Sequence, residues 1–183
     1  HFRVGTGSVF TLAANKTMTA GSVTVSGGEL AMGGGTLNVS GNWTKAGGTF
    51  TAGTYTVNFT TTGIQQLDSG GTLDGSQFNN LTHATGGGTL QVVTNDLRVN
   101  GTITNSSGTF DPNGRTVYIG GNWASSASVT TSGTLSFIAE SGTQTLNSYG
   151  IGEGKAYGSI AHTGAGTLQL TGSYGINIDG SFS

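Results

Sequence analysis

The segment LNVSGNWTKAGGTFTAGT, residues 37–54, has a close counterpart in VYIGGNWASSASVTTSGT, residues 117–134. At a shift of 80, Trp43 aligns with Trp123 and Gly53 aligns with Gly133. At a shift of 79 the match continues, because FNNLTH meets YGSIAH near the C-terminus. A repeat of this length is stronger evidence about the fold than any local sequence pattern. It predicts a single domain over residues 1–183, built from about two and a quarter copies of a 79 to 80 residue repeat.

A finer period of about 20 residues lies inside the repeat, since Phe10, Leu30 and Phe50 are equally spaced and Leu37 and Val57 keep the same step. Each such segment holds about three short alternating apolar pieces separated by Gly-rich corners. This pattern predicts an all-β protein, a single-stranded β-solenoid (β-helix) with three-sided coils of about 20 residues. At ~4.8 Å per coil, roughly nine coils would form a rod about 43 Å long.

The finer period also predicts which side chains are stacked. Gly-Asn-Trp is interpreted as packing, with Trp43 and Trp123 in the core, and an exposed Trp that stacks on sugars is the alternative. The register blurs at 60–88 and 140–166, which predicts loops at 68–77 and 147–158. One inner wall is expected to contain Leu37, Val57, Leu97, Val117, Phe137 and Ile176, and one corner to contain both tryptophans with Val23, Ile103 and Phe182.

The composition of the chain excludes several classes of protein. It has 35 Gly, one Pro, no Cys and 8% charged residues, which favours short strands over helices. No apolar run approaches the length of about 18 residues that a membrane helix requires, so no membrane span is predicted. The six Lys and Arg residues are dispersed in a chain of net charge −2, which argues against binding to nucleic acid.

Residues that carry chemistry do not cluster in the sequence. Asp68 and Asp74 are the closest acidic pair, and as members of a Gly-rich loop they are interpreted as solvated turn residues rather than an acid/base pair. His83 and His162 are equivalent in the repeat, but four coils of ~4.8 Å would hold them about 19 Å apart, too far to share a metal. Nucleophile-elbow, phosphate-loop and zinc-helix motifs are absent from the sequence. We therefore expect no enzyme activity, no catalytic or metal site and no cofactor.

The outward positions are the candidates for ligand binding or assembly. Thr and Asn side chains around the tryptophan strands suggest one uncharged outer surface, although not the strict Thr-x-Thr array expected of an ice-binding protein. Seven Asn-x-Ser/Thr triplets occur, and acceptors of N-linked glycans are predicted among them. The predicted surface contains Thr24, Thr44, Thr102, Thr104, Tyr118, Tyr149 and Tyr157, and the predicted glycan acceptors are Asn42, Asn58 and Asn80.

The pieces GNWT, GGTFTAGT and FNNLT resemble the Gly/Thr-rich repeats of large bacterial extracellular surface and adhesin-like β-solenoid proteins. That resemblance implies an exported or cell-surface, non-catalytic, elongated protein. Neither chain end resembles a cap, and equal coils of about 20 residues would bring the last strand almost above the first. These features predict a structural protein that associates head to tail into a filament, fibre or stalk, although a fragment excised from a much longer repeat protein would have identical edges. The alternatives are an adhesin that binds surface glycans and an ice-binding protein.

Overall fold

The computed structural model describes residues 1–148, 150 and 156–183. Within these residues the chain forms 22 strands and no helix. All pairings between the strands are parallel, and each joins one coil to the next. The prediction of an all-β solenoid of about nine coils is confirmed.

Each coil crosses three faces, which we number in chain order. Strands β4 and β6 are long enough to turn the first corner and lie on both face 1 and face 2. Face 1 contains β1 (Phe2–Val4), the first parts of β4 (Val23–Gly33) and β6 (Trp43–Thr51), β8 (Ile64–Asp68), β10 (Thr89–Val92), β13 (Thr109–Asp111) and β16 (Ser128–Val129), followed in the last coils by the pair β19 (Ala156–Tyr157) and β22 (Asn177–Ile178).

Faces 2 and 3 complete each coil. Face 2 contains β2 (Val9–Ala13), the second parts of β4 and β6, β11 (Leu97–Val99), β14 (Thr116–Ile119), β17 (Thr134–Phe137) and β20 (Ser159–His162), extended by bridges at Phe78 and Phe182. Face 3 is one eight-stranded sheet of β3 (Thr17–Ala20), β5 (Thr36–Val39), β7 (Thr56–Thr60), β9 (Asn80–Thr85), β12 (Ile103–Asn105), β15 (Trp123–Ser125), β18 (Thr143–Asn147) and β21 (Thr167–Thr171).

Period-two alternation explains why these short pieces are strands. In β11, Leu97 and Val99 are buried while Arg98 between them points outward. The corners require residues that can adopt an unusual backbone conformation. Gly48, for example, has φ +62°, and a side chain there would collide with the carbonyl oxygen of Gly28 in the previous coil. Alternation therefore builds the walls, and glycine permits the close approach of coils at the corners.

The length of a coil is less regular than the sequence predicts. Leu37 pairs with Val57, a step of twenty, as expected. The step from Trp43 to its partner Leu67 is twenty-four, and the step from Leu135 to Ile160 is twenty-five. These longer steps define what we call wide coils, and they occur where the register was predicted to blur. The step from Trp43 to Leu67 ends before the predicted loop at 68–77, and its extra residues lie between β7 and β8. The step from Leu135 to Ile160 contains the second predicted loop, of which residues 149 and 151–155 lie outside the described part.

Both tryptophans lie in the core, which confirms the packing interpretation of Gly-Asn-Trp. Trp43 is 1% exposed, and its ring centroid lies 4.8 Å from that of Phe50 and 5.0 Å from that of Phe78. Trp123 is fully buried against Phe110, with ring centroids 5.4 Å apart, and its indole Nε1 donates a hydrogen bond of 3.0 Å to the hydroxyl of Tyr157. The alternative of an exposed, sugar-stacking Trp is wrong.

The two copies of the repeat nevertheless lie on different faces. Trp43 stacks on Val23 in face 1, whereas Trp123 stacks on Ile103 in face 3. Because some coils contain more than twenty residues, residues that are one repeat apart in the sequence are separated by three coils and two further faces. Equivalent residues of the two copies therefore lie on different faces. The single corner and the single inner wall predicted from the sequence are therefore wrong. Leu37 and Val57 lie on face 3, Leu97, Val117 and Phe137 lie on face 2, and Phe182 on face 2 bridges Ile160.

The last strand, β22, lies on face 1 like β1, but the chain continues beyond it. The chain starts on face 1 at β1, but Phe182 is on face 2, so the last residues do not lie above the first ones. Counting in equal steps of twenty residues predicts that the last residues lie above the first ones, because it ignores the residues inserted into the wide coils.

Candidate functional site

The residues predicted to form one outer surface are distributed over all three faces. Thr24 and Thr44 are neighbours on face 1, Thr102 and Thr104 belong to face 3, and Tyr118 points outward on face 2. The prediction of one surface is wrong because it assumed that repeat copies share a face. Tyr157 is only 1% exposed and belongs to the core, so it is not a surface residue. Tyr149 lies outside the described residues.

Face 3 carries the most regular outward side chains in the described chain. Its eight strands place two parallel columns of short polar residues at ~4.8 Å intervals. Nine of the sixteen positions are Thr and five are Asn. The first column is Thr17, Thr36, Thr56, Asn80, Thr102, Asn122, Thr145 and Gln169, and the second is Thr19, Asn38, Asn58, Thr82, Thr104, Ala124, Asn147 and Thr171.

A shallow depression of about 450 Å³ lies on this face beside the second column. Its position follows from an irregular pairing, since Phe59 is opposite His83 but the next residue, Thr60, is opposite Thr85. The extra residue, Ala84, widens β9 locally, as a β-bulge does. Within the depression the Asn58 Nδ2 donates a 2.9 Å hydrogen bond to Asn38 Oδ1, which fixes both amides.

Charge is segregated away from face 3. None of its described strands contains Asp, Glu, Lys or Arg. Charged residues of the described chain lie instead on the other faces and at the corners, for example Arg3, Glu29, Asp68, Arg98 and Asp111. The outer side of face 3 therefore presents hydroxyl and amide groups and, in its described strands, no charged side chain.

The inner side of face 3 contains a buried polar column. His83 is fully buried, and its Nδ1 lies 3.1 Å from Asn105 Oδ1, so Nδ1 carries the proton in this arrangement. The Asn105 Nδ2 in turn donates a 2.9 Å hydrogen bond to the carbonyl oxygen of Ser128. Burial lowers the pKa of His83, and the hydrogen bond to Asn105 opposes that shift without cancelling it. His83 is consequently a neutral core residue.

His83 and His162 do not come together, since the former is on face 3 and the latter on face 2. Among residues 1–148, 150 and 156–183, no group of three or more His, Asp or Glu side chains could hold a metal ion. The fixed carboxylates serve turns instead. Asp68, the half-buried last residue of β8, accepts hydrogen bonds at Oδ1 from the Gly70 backbone in the turn that follows and from Asn95 Nδ2.

Asp111 is the most extensively hydrogen-bonded carboxylate of the described chain. Burial by itself would raise its pKa. Hydrogen bonds from Thr130, Gln91 and Ser132 and from the backbone of Asn113 outweigh that effect, so the pKa of Asp111 lies below its usual value. Its partners belong to the preceding and following coils as well as its own turn. Asp111 therefore ties three coils together, which is a structural role.

The predicted glycan acceptors already have structural roles. Asn42 is exposed, and its Oδ1 accepts a 3.0 Å hydrogen bond from the backbone of Gln66 in the next coil. Asn80 Oδ1 accepts a 2.9 Å hydrogen bond from the backbone of Thr102, and Asn58 belongs to the amide pair of face 3. Each of the three side chains therefore links adjacent coils, and their use as glycan acceptors stays a prediction.

Two buried glutamines were missed by the sequence analysis. Gln65 Nε2 donates to the carbonyl oxygens of Val39, at 2.8 Å, and Gly41. Gln144 Nε2 donates to the equivalent carbonyls of Ile119, at 2.8 Å, and Gly121, at 2.6 Å. Each glutamine therefore supplies hydrogen-bond donors to backbone carbonyl groups at the corner where Gly-Asn-Trp begins. The available signal was their spacing, because the two glutamines lie one repeat apart in the sequence.

Comparison of the chain with models of protein families, with curated proteins and with solved structures found no match. The described part of the chain contains no helix that is long and apolar enough to cross a membrane. The fold and the surfaces described above are consequently the basis for a functional proposal.

Proposed function

We propose that this protein is a non-catalytic structural β-solenoid of the cell surface or extracellular space, which stacks end to end into a filament, fibre or stalk. The observation that carries the proposal is the continuous core, in which parallel ladders on three faces enclose apolar side chains from Val4 to Ile160. Such ladders extend by adding identical steps, so strand edges at either end are templates for further pairing. The resemblance to bacterial surface repeats supports the location.

The first coil and the last coil both offer such edges. Among the described strands, β1, β2 and β3 each pair only with a later coil, and β21 and β22 each pair only with an earlier coil. Negative-stain electron microscopy and sedimentation of the purified chain over a range of concentrations test the proposal. We expect rods that lengthen with concentration. Monomers of constant size at millimolar concentration would contradict it.

A second candidate function is the binding of a neutral surface glycan to face 3. The uncharged double column and the 450 Å³ depression lined by Asn38, Asn58 and Thr82 favour it. Hydroxyl and amide groups can donate and accept hydrogen bonds with sugar hydroxyls.

A glycan array with three forms of the chain tests this second function. We expect reproducible binding by the wild type, loss of binding in Thr82→Lys on face 3, and no change in Thr11→Lys on face 2. Equal binding by both variants would exclude face 3 as the site. Thermal hysteresis of wild-type solutions without glycan binding would instead favour the ice-binding alternative.

A further inference from the structure

The C-terminal end of the described solenoid exposes its core. Leu168 and Leu170 on β21 pair with the buried Gln144 and Leu146, so they face inward. Leu170 is nevertheless 47% exposed, because no strand of the described chain lies above it. With Ile176, Ile178 and Phe182 these leucines line an apolar depression of about 150 Å³. Inward-facing side chains that are left uncovered in this way indicate a site for another strand.

The edge at this end is not level. Face 3 ends at β21, after which the chain adds β22 on face 1 and the bridge at Phe182 on face 2. The edge of face 3 is therefore the lowest of the three, because the chain climbs by about 4.8 Å in each coil and so by about a third of that from one face to the next.

The N-terminal end has the complementary shape. The chain climbs from β1 on face 1 through β2 on face 2 to β3 on face 3, so the edge at β1 protrudes by comparison. The inward side chains along this edge are apolar, and Phe2, Phe10 and Met18 are only partly buried. The protruding edge of one copy can thus meet the lowest edge of another.

We propose that a second copy of this chain docks on the C-terminal end rotated by one third of a turn, with its β1 paired to β21. This inference rests on the end-to-end association proposed above, and it specifies which strands of the two copies pair with each other. The rotation is the only one of the three face-to-face arrangements that places the protruding edge on the lowest one. All three faces of the two copies then continue without a missing strand.

The rotated arrangement also matches apolar side chains on each face. Phe2 and Val4 of the incoming copy cover Leu168 and Leu170 on face 3. Its β2 lies on β22, and its β3 lies on the strand at Phe182. Apolar side chains thereby leave water on every face, and this burial is the dominant favourable term in most protein association.

The unrotated arrangement is the main competitor. It places Arg3 beside Asp179, but an exposed ion pair contributes little to association. It also leaves a gap of one strand above β21, so Leu170 stays uncovered. The rotated arrangement instead places Arg3 beside the neutral Gln169.

The internal repeat provides a precedent for this rotation. A shift of one repeat carries Val23 on face 1 to Ile103 on face 3, and Leu37 on face 3 to Val117 on face 2. Docking of β1 on β21 likewise places a face 1 strand of one copy on face 3 of the other. The proposed junction between copies therefore reproduces the relation that the chain already has between its own repeats.

The absence of Cys from the chain permits a direct test with engineered disulfides. Outward residues on paired strands are about 4.8 Å apart, a separation that suits a disulfide. Two double variants share Arg3→Cys. One adds Gln169→Cys, the partner in the rotated register, and the matched control adds Asp179→Cys, the partner in the unrotated register. Both are oxidised under conditions where wild-type association is measured by sedimentation.

We expect at least tenfold more intermolecular disulfide in the Gln169→Cys variant than in the Asp179→Cys variant, with wild-type rods present. Preferential crosslinking of the Asp179→Cys variant, or crosslinking of neither while the wild type forms rods, would overturn the register but leave end-to-end association standing. Monomeric wild type with no crosslink in either variant would contradict both proposals. Leu170→Asp provides an independent check, since it should abolish rods without unfolding the monomer.

Discussion

The two Gly-Asn-Trp corners share a local design but differ in their surroundings. Each has a glutamine, Gln65 or Gln144, that donates to the carbonyls of the corner. Among the described residues, the Trp43 Nε1 is buried without a hydrogen-bond partner in an otherwise phenylalanine cluster, whereas the Trp123 Nε1 donates to Tyr157. The corner is therefore set by the repeat, while the environment of the indole is set by the face on which the corner falls.

The largest expected effect comes from removing either indole. Trp43→Ala and Trp123→Ala each leave a cavity in a packed core, which costs about 3–5 kcal/mol of unfolding free energy. Chemical denaturation followed by circular dichroism measures the loss. Thr44→Ala, at the neighbouring outward position, is the matched control and should change stability by less than about 0.5 kcal/mol. Similar losses for Trp43→Ala and Thr44→Ala would show that Trp43 is not in the core.

Replacing the corner glutamines should have a smaller effect that is similar in both copies. Gln65→Leu and Gln144→Leu leave buried carbonyl oxygens without their side-chain donors, at a cost of about 1–3 kcal/mol each. Gln66→Leu, exposed on the same strand as Gln65, is the control and should be close to neutral. A large loss in one copy only would contradict the equivalence of the two corners.

The contrast between the two indoles is sharpened by conservative substitution. Trp123→Phe removes the hydrogen bond to Tyr157, whereas Trp43→Phe removes an indole N–H that has no partner in the described chain. Both lose a similar amount of packing, so we expect Trp123→Phe to be the more destabilising by about 1 kcal/mol. Equal losses in denaturation experiments would mean that the bond to Tyr157 contributes nothing net.

The smallest expected effect is a pH dependence that comes from His83. Because its pKa is lower in the folded chain than in the unfolded one, the unfolded chain binds a proton first as the pH falls. Stability is then complete above the unfolded pKa of about 6.5 and is lost progressively below it. Thermal melts between pH 7.5 and 5 should show a decline that His83→Asn removes. A decline of unchanged size in His83→Asn would assign it to another group.

Much of this fold follows from the sequence alone. The regular spacing of Leu37 and Val57, the alternation that buries both and the loops near 68–77 were all predicted. The face on which each repeat falls was not predicted. Trp43 pairs with Leu67 rather than with the residue one regular step away. The blurred register after residue 60 locates this irregularity, but it does not give the number of inserted residues.

The predicted outer surface failed for the same physical reason. Alternation distinguishes inward from outward positions, but the choice of face depends on the summed lengths of all preceding coils. Thr44 and Thr104 are therefore both outward, as predicted, yet lie on different faces. The burial of Tyr157 was also hidden, because it follows a segment where the repeat is irregular.

The most direct test of the account is intramolecular disulfide formation across the first wide coil. Thr44 pairs with Asp68, whereas a strictly regular coil would pair it with Ile64, which lies four positions and about 13 Å away along the same strand. In dilute monomer under mild oxidation, we predict a disulfide in the Thr44→Cys, Asp68→Cys variant and none in the Thr44→Cys, Ile64→Cys variant. The opposite result would contradict the coil lengths, and with them the distribution of the repeats over different faces.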